Sequence, residues 1–358
     1  MNSTKIIAIA LAAMVIVAGV AIFVTGNDNS SEGVEDAVGN VVKLDGKPER
    51  IASTTVTATE YVCQLGYRDA LVGATMNNGV YDVDEKIIGI DMNLDYPKTI
   101  KEDINSGKIA NVGKATSWSV ESVAATNPEL VLLGESSVES DSSKMEQFKS
   151  LGIKVFVISD GSEWKDIFEN YSDLGKLLSA EDKANKIIND IKSSEEKLRK
   201  SVEGLGKDLK VAHICYCYKK YYVYDSSVCI EAAMLFGATN AIKSEVNFTA
   251  ITPEVIAEKN PDVIIFDDMT THLNWEEVIS GWKADSVMGS IDCIKNDNFY
   301  CLEEKSYRAT NYNTAHYLEG EALVATLLFN ETLGIEVPNI ITDEDWKTYL
   351  GWFEELVS

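Results

Sequence analysis

Two stretches of this chain, 133 positions apart, repeat one pattern: residues 119–133 match residues 252–266. Each copy opens with a hydroxyl residue that can cap a helix, and a glutamate follows in the first turn, where the helix dipole favours it. Asn-Pro ends the helix, because the residue before proline avoids the helical region. The apolar run that follows predicts a strand buried on both faces. A duplicated helix–strand unit predicts two similar α/β lobes.

The repeat extends upstream of that core in both copies. Glu60 lies six residues before Gly66, and Glu231 lies six residues before Gly237. In each copy the glycine marks the end of a helix. Each lobe is therefore predicted to run strand, helix, strand, helix, strand. Chance recurrence is the alternative, but it would require two separate segments to match in the same order.

Length and charge restrict the class of protein. A chain of 358 residues is long enough for two domains, and 45% hydrophobic residues exclude a disordered protein. The net charge of −25 argues against nucleic acid and against an anionic membrane surface as partners, because both require clustered lysine and arginine.

The N-terminal sequence predicts a membrane-spanning segment. Lys5 precedes nineteen uncharged residues, 6–24, which span roughly 28 Å as a helix. We expect residues 1–25 to be a membrane anchor with the body on the extracytoplasmic side, and residues 26–40 to be a linker. A cleavable signal peptide, which would give a secreted protein, is the alternative. A lipoprotein is excluded because no cysteine precedes Cys63.

One long helix is predicted between the two repeat units. Apolar residues recur at helical spacing across residues 179–205, which therefore separate an N-terminal lobe, 41–178, from a C-terminal lobe, 206–358. A rigid connector of this kind resists wide hinge closure. Strands are predicted over residues 211–218 and 221–224. Among the six cysteines, Cys293 and Cys301 flank a turn signal and either bridge across a hairpin or remain buried thiols.

The chain resembles the extracytoplasmic solute-binding proteins of ABC importers for ferric siderophores and cobalamin, from about residue 40 to 355. The resemblance rests on an opening hairpin at 39–51, Gln64-Leu-Gly, Leu71-Val-Gly, Val112-Gly, both repeats, Leu151-Gly-Ile-Lys-Val and a closing helix at 315–329. It implies two pseudo-symmetric three-layer lobes joined by one α-helix, the class III periplasmic-binding-protein fold. The segment 77–110 is longer than the resemblance to this family leads us to expect.

The resemblance also implies a function. The expected solute is a metal chelate, a ferric siderophore first and then cobalamin, another corrinoid or haem, and no enzymatic activity or resident cofactor is expected. The expected partner is the dimeric ABC permease with its ATPase subunits. Glu121 and Glu254, the repeated glutamates, match the carboxylates that such proteins present to permease arginines. Stabilisation of the first helical turn is the alternative role for both.

The solute is expected between the lobes, where loops leave the carboxyl ends of the strands. Arg308 could hold a carboxylate or hydroxamate oxygen, or else form a surface salt bridge. Trp118 could offer an apolar contact, or else pack in the core. The predicted contact residues are Thr57, Asn77, Tyr81, Trp118, Tyr218, Tyr222, Tyr307, Arg308 and Tyr312.

Two rival functions remain open. His213, His272 and His316 could bind bare zinc or manganese, but all three fall in the second lobe, whereas such an ion would be held from both. A chelatase-like enzyme could share the two-lobed layout. The chain contains no Gly-x-Ser-x-Gly, His-Glu-x-x-His or Cys-x-x-Cys motif, and export past an anchor disfavours that function.

Overall fold

The computed structural model describes residues 33–76, 86–92, 94, 98–160, 163–268, 273–310 and 314–358. The predicted anchor, residues 1–25, lies outside this part of the chain. Within the described ranges, no helix combines the length and the hydropathy that crossing a bilayer requires. Residues from Val34 to Ser358 form one unit.

The first lobe is built on a five-stranded parallel sheet in the order β5-β4-β3-β8-β9. A short 3-10 turn, Arg68–Ala70, precedes β4. The elements of this lobe, in chain order, are β1 (Val34–Glu35), β2 (Val41–Val42), β3 (Ile51–Ser53), α1 (Val56–Gln64), β4 (Leu71–Ala74), α2 (Ile100–Asn105), β5 (Ala110–Asn111), β6 (Gly113–Lys114), β7 (Ser117–Trp118), α3 (Val120–Ala124), β8 (Leu130–Gly134), α4 (Glu135–Ser140), α5 (Ser143–Ser150), β9 (Lys154–Ile158) and α6 (Trp164–Leu177).

A single helix, α7 (Glu181–Ser201), connects the lobes, four residues shorter at its C-terminal end than the predicted 179–205. Its apolar stripe of Ala184, Ile187, Ile191 and Leu198 is buried, because these residues recur at helical spacing. The opposite face carries ion pairs four residues apart, such as Glu196–Lys200 at 2.6 Å. The amphipathic pattern therefore determines which face of this connecting helix is buried.

The second lobe has a mixed sheet in the order β13-β11-β10-β14-β15-β16, with β12 also paired to β10. Strands β10, β14, β15 and β16 are parallel, and β11 is antiparallel to both β10 and β13. The elements are β10 (Lys210–Cys217), β11 (Lys220–Val223), α8 (Val228–Leu235), β12 (Thr239–Asn240), β13 (Thr249–Ile251), α9 (Pro253–Lys259), β14 (Val263–Asp267), α10 (Trp275–Ala284), α11 (Asp292–Lys295), β15 (Phe299–Leu302), α12 (Glu304–Ala309), α13 (Tyr317–Leu333), β16 (Ile340–Ile341) and α14 (Gly351–Val357), with 3-10 turns at Met288–Ser290 and Trp346–Leu350.

The predicted duplication is present in three dimensions. Helix α3 leads into β8 and helix α9 leads into β14, and both strands are fully buried. Asn127 and Asn260 end these helices in the left-handed conformation, with φ of 51° and 42°. Asparagine tolerates that conformation better than most residues, so the repeated Asn-Pro supplies the helix stop in both lobes.

Several predicted boundaries are wrong. The sheet pairing of Val34–Glu35 with Val41–Val42 begins inside the stretch predicted to be a linker. Asp36 explains this, because its buried carboxylate accepts the backbone N–H groups of Asn40 and Val157 at 2.8 and 3.2 Å. The closing helix begins at Tyr317, two residues after the predicted start, and its helical conformation breaks at the predicted end, Phe329, with φ of −126° and ψ of 21°. A further helical turn beyond this kink runs to Leu333 and ends at Gly334 in the left-handed conformation.

The cysteines form no bridge. All six are free and buried. Cys293 lies on α11 and Cys301 on the parallel strand β15, so the segment between them is a helix–strand connection and not a hairpin. The alternative prediction of buried thiols describes them correctly.

Candidate functional site

A stack of four rings runs outward through the second lobe, from the middle of β10 and along its neighbour β11. The ring of His213 stacks on Tyr224 at 4.4 Å, Tyr224 contacts Phe248 at 5.1 Å, and Phe248 lies parallel to Tyr222 at 4.8 Å. His213 and Tyr224 are buried, whereas Phe248 and Tyr222 are half-buried. The stack therefore ends in an aromatic surface that water can reach. We call these four residues the aromatic stack.

The inner end of the stack is polar. Nδ1 of His213 lies 2.8 Å from the hydroxyl of Ser227, the residue that caps α8. Nε2 lies 2.7 Å from Oδ2 of Asp267, the last residue of β14, and neither side chain is exposed. Burial alone would lower the pKa of His213, but Cys229 and Asp267 raise it to about 10. The pair is therefore an imidazolium held against a carboxylate.

Tyr307 and Arg308 follow β15 on helix α12, and both are half-buried. Arg308 forms the salt bridge that was its alternative role: Nε lies 3.0 Å from Oε1 of Glu304, one turn earlier, and Nη2 binds the same oxygen. Both partners are 19% exposed, so the pair lies at the surface of the lobe with its charges compensated.

The first lobe presents polar groups at the ends of its own strands. Thr57 is half-buried in the first turn of α1, which Thr55 caps by accepting the N–H of Ala58 at 3.0 Å. Asp160, just after β9, accepts the backbone N–H of Ser136 at 2.7 Å. Gly134 permits that approach, because a Cβ there would lie 2.7 Å from Oδ1 of Asp160.

The remaining predicted contacts fall in three groups. Tyr218 is 75% exposed at the turn between β10 and β11, where it and Lys219 adopt the left-handed conformation. Trp118 is only 7% exposed and packs on Phe148 at 6.2 Å in the first-lobe core, which is its alternative role. Asn77, Tyr81 and Tyr312 lie outside the described residues, as does His272.

A buried ionic chain joins the lobes at the N-terminal end of α13. Nε2 of His316 lies 2.7 Å from Oε1 of Glu60 on α1, and Nδ1 lies 2.9 Å from Oε2 of Glu319. Lys347 approaches the other oxygen of Glu319 at 3.3 Å. Burial alone would lower the pKa of His316, but the carboxylates of Glu60 and Glu319 raise it to about 10. The first lobe is therefore tied to α13 by a charged histidine.

The duplication explains this arrangement. Glu231 occupies in α8 the position that Glu60 occupies in α1, and it accepts the hydroxyl of Tyr317 at 3.0 Å. The two repeat-equivalent glutamates, one from each lobe, thus contact consecutive residues at the start of α13: the N-cap residue His316 and the first helical residue Tyr317. One turn further, Glu321 is fully buried and accepts Nε1 of Trp164 at 3.1 Å. We call the contacts of residues 316–321 with both lobes the α13 seam.

The repeated glutamates Glu121 and Glu254 both stand at the second helical position, two residues after the capping residues Ser119 and Thr252, and both are exposed. Because α3 and α9 run antiparallel to the strands that follow them, their N-termini lie at the carboxyl edge of each sheet. Thr252 holds the pKa of Glu254 below its ordinary value by a hydrogen bond to the carboxylate.

The geometry disfavours a bare-metal site. His213 and His316 each have both ring nitrogens engaged by protein groups, and both are buried. Among the described residues, no group of three or more His, Cys, Asp or Glu side chains is placed to hold a metal ion.

Sequence reasoning named His213 and His316 only as possible metal ligands and missed the carboxylates that shape this site. Asp267 interrupts an apolar strand, and Glu319 and Glu321 interrupt an apolar helix. A charged residue inside an apolar run is a signal that could have found them, because buried charge requires a partner. The sequence could not name those partners, since Glu60 and His316 lie far apart along the chain.

Two α/β lobes, joined by one helix and displaying their polar and aromatic side chains at the carboxyl ends of both sheets, define a two-lobed solute-binding protein. The chain belongs to the periplasmic binding protein family, whose model matches residues 51–305. This match confirms the predicted resemblance and fold, and it confirms that the chain is a binding protein of the ABC-transporter type and not an enzyme.

Similarity to individual proteins agrees with this assignment. An uncharacterised ABC transporter substrate-binding lipoprotein of Bacillus subtilis is 25% identical over 66% of this chain and 68% of its own length. A cobalamin-binding protein of Halobacterium salinarum is 24% identical over 64% of this chain and 57% of its own length. The crystal structure of a petrobactin-binding protein of Bacillus subtilis, 15% identical, covers 83% of this chain and 98% of its own, with a TM-score of 0.63.

Proposed function

We propose that this protein captures an intact metal chelate outside the cytoplasm and delivers it to an ABC permease. The observation that carries the proposal is the two-lobed fold, shared with a petrobactin-binding protein, together with sequence similarity to a cobalamin-binding protein. Both of those solutes are chelating molecules of a size suited to a cleft between two lobes. A ferric siderophore is the first candidate, followed by a corrinoid or haem.

The proposed contact surface lies between the carboxyl ends of the two sheets. Tyr222, Tyr307 and Arg308 supply the second-lobe wall, and Tyr218 stands at its rim. Thr57 contributes from the first lobe. Asn77, Tyr81 and Tyr312 remain proposed contacts from the sequence. Trp118 does not join this set, because its ring is enclosed by the first-lobe core.

Binding tests the proposal directly. The full chain, purified in detergent, should show saturable quenching of tyrosine and tryptophan fluorescence with at least one ferric siderophore, corrinoid or haem. The chelate recovered afterwards should be unchanged. Failure of a broad chelate panel would contradict the proposal, and zinc binding that a chelator reverses would support the bare-metal alternative.

We propose further that Glu121 and Glu254 dock the protein onto its permease. Two equivalent carboxylates on pseudo-symmetric lobes suit a partner with two-fold symmetry, and exposed charges guide encounter more than they add affinity. The location follows from the same proposal: residues 1–25 hold the protein at the extracytoplasmic face of the membrane, or are cleaved to release it.

The docking role separates uptake from binding. Glu121→Lys with Glu254→Lys should abolish uptake of the chelate while leaving its Kd unchanged, because neither residue is among the proposed solute contacts and a lysine would repel arginines on the partner. Glu258→Lys, at another exposed glutamate of α9, is the matched control. Full uptake by the doubly reversed protein would show that the repeated glutamates only stabilise their helices.

A further inference from the structure

The arginines of this protein are already paired. The chain has four. Arg308, at the strand ends of the second lobe, is compensated by Glu304. The other three bind protein groups elsewhere: Arg50 donates to the carbonyl of Asn127, Arg68 pairs with Asp103 at 2.9 Å, and Arg199 pairs with Glu195. Arg68, Arg199 and Arg308 are thus compensated by carboxylates, whereas Arg50 donates to carbonyls just before β3, at the amino end of that strand.

Carboxylates dominate the remaining charge at the strand ends. Glu135 and Asp160 follow β8 and β9 in the first lobe, and Asp268 follows Asp267 at the end of β14. Three lysines of the second lobe follow its strands: Lys305 is half-buried on α12, and Lys219 and Lys220 are exposed at the tip of the β10–β11 turn, where water weakens charge interactions. With a net charge of −25 for the whole chain, the site should repel a polyanion.

The aromatic stack offers a different kind of contact. Tyr222 and Phe248 are parallel, with an interplanar angle of 2°, and both are half-buried. Such a surface accepts apolar or planar groups by dispersion, and it attracts cations through the negative faces of its rings. Neither interaction requires an anionic solute.

The buried phenols of this wall retain their protons. Burial, followed by the nearby carboxylate of Asp267, raises the pKa of Tyr224 and of Tyr307 far above the ordinary value. A neutral phenol is a poor ligand for a metal ion. Asp267 is itself held by His213, with both side chains fully buried. These groups can donate or accept hydrogen bonds at the wall, and the described part of the chain has no group of three or more His, Cys, Asp or Glu side chains placed to coordinate a metal ion.

From these observations we infer the chemical class of the solute: an uncharged or cationic chelate whose metal is already fully coordinated, with polyanionic chelates as poor ligands. This inference rests on the proposed function and narrows it. Arg308 then acts as half of a compensated pair, offering a polar surface to carbonyl or hydroxamate oxygens without adding net positive charge.

A series of chelates that differ only in charge tests the inference. The ferric complex of desferrioxamine B carries a free ammonium group, its N-acetyl derivative is neutral, and its N-succinyl derivative carries a carboxylate. Cyanocobalamin and its monocarboxylate derivative form a second series. With the full chain in detergent at low salt, we expect the carboxylate form of the bound scaffold to bind at least tenfold more weakly than its neutral form. High salt should narrow the difference.

The outcomes separate the two levels of the argument. A carboxylate form that binds as tightly as the neutral form, or more tightly, would overturn the inference and leave the proposed function standing. Binding of neither scaffold would count against the proposed function and the inference together.

A variant tests the role of the compensated pair. Glu304→Gln should remove the Glu304 carboxylate from Arg308, so affinity for the carboxylate form should rise at least threefold while affinity for the neutral form stays the same. Glu331→Gln, at an exposed glutamate of α13, is the matched control and should change neither. An unchanged preference in Glu304→Gln would show that the pair does not set the charge selectivity.

Discussion

Replacing Glu321 with glutamine should remove a large pH dependence of stability. Glu321 is fully buried in the α13 seam, where Oε1 accepts Nε1 of Trp164 and Oε2 has no donor among the described residues. Burial, and then the carboxylate of Glu195, raise its pKa from 4.5 to about 8. The groups that face it are Trp164 of α6, Glu195 and Arg199 of α7, and Glu231 of α8.

The sign follows from linkage. The folded protein keeps a proton on Glu321 that the unfolded chain releases above pH 4.5, so the stability present at low pH is lost as the pH rises towards 8. Each pH unit in that window costs about 1.4 kcal/mol, which gives a loss on the order of 4 kcal/mol between pH 5 and pH 8. Glutamine is neutral throughout and can still accept the hydrogen bond from Trp164.

Urea unfolding of the full chain, followed by circular dichroism from pH 5 to pH 8.5, measures this directly. The free energy of unfolding of Glu321→Gln should match that of the wild type near pH 5 and exceed it by the same amount, on the order of 4 kcal/mol, near pH 8. Glu331→Gln, on the exposed face of the same helix, should follow the wild type at every pH. Parallel profiles for Glu321→Gln and the wild type would refute a buried, protonated glutamate in the seam.

Three further predictions follow from the geometry. Because the pKa of His316 is raised, the stabilisation from its charged form is fully present below pH 6.5 and is lost as the pH rises through about 10. Urea unfolding should therefore find His316→Gln destabilising by about 3–5 kcal/mol at pH 6 and by much less at pH 10. An equal loss of stability at both pH values would contradict the ion pair with Glu60. Tyr222→Ala should weaken chelate binding by about 1 kcal/mol in fluorescence titration, whereas Tyr222→Phe should retain the wild-type affinity. Equal losses of affinity in the two variants would assign the effect to the hydroxyl. A thiol reagent should modify none of the six cysteines in the folded protein and all six in denaturant, and a count of four would reveal a disulfide.

The architecture could be predicted from local signals because the duplication repeats them. The helix caps, the Asn-Pro stops and the buried strands each act within a few residues, and a match between two copies makes each signal more reliable. The exposed positions of Glu121 and Glu254 follow from the same local rule. The strands β10 and β11 were predictable from local sequence as well, and alternation along a strand sets which of its residues share a face.

The site was less predictable because its contacts join distant segments. Arg308 attracted attention as a rare residue in a loop, but Glu304, four positions earlier, compensates it on a short helix that the sequence did not show. Trp118 precedes a helix cap, and only the packing of Phe148 places it in the core. The ion pair between Glu60 and His316 joins the two lobes, so no local sequence pattern could predict it.

Native mass spectrometry of the full chain released from detergent, after incubation with mixed chelates and free metal ions, tests the central claim most directly. We expect one added mass per chain, equal to that of an intact, uncharged or cationic chelate. A mass increase equal to a bare metal ion, or to a chemically altered chelate, would contradict the claim that this protein binds whole chelates for transport.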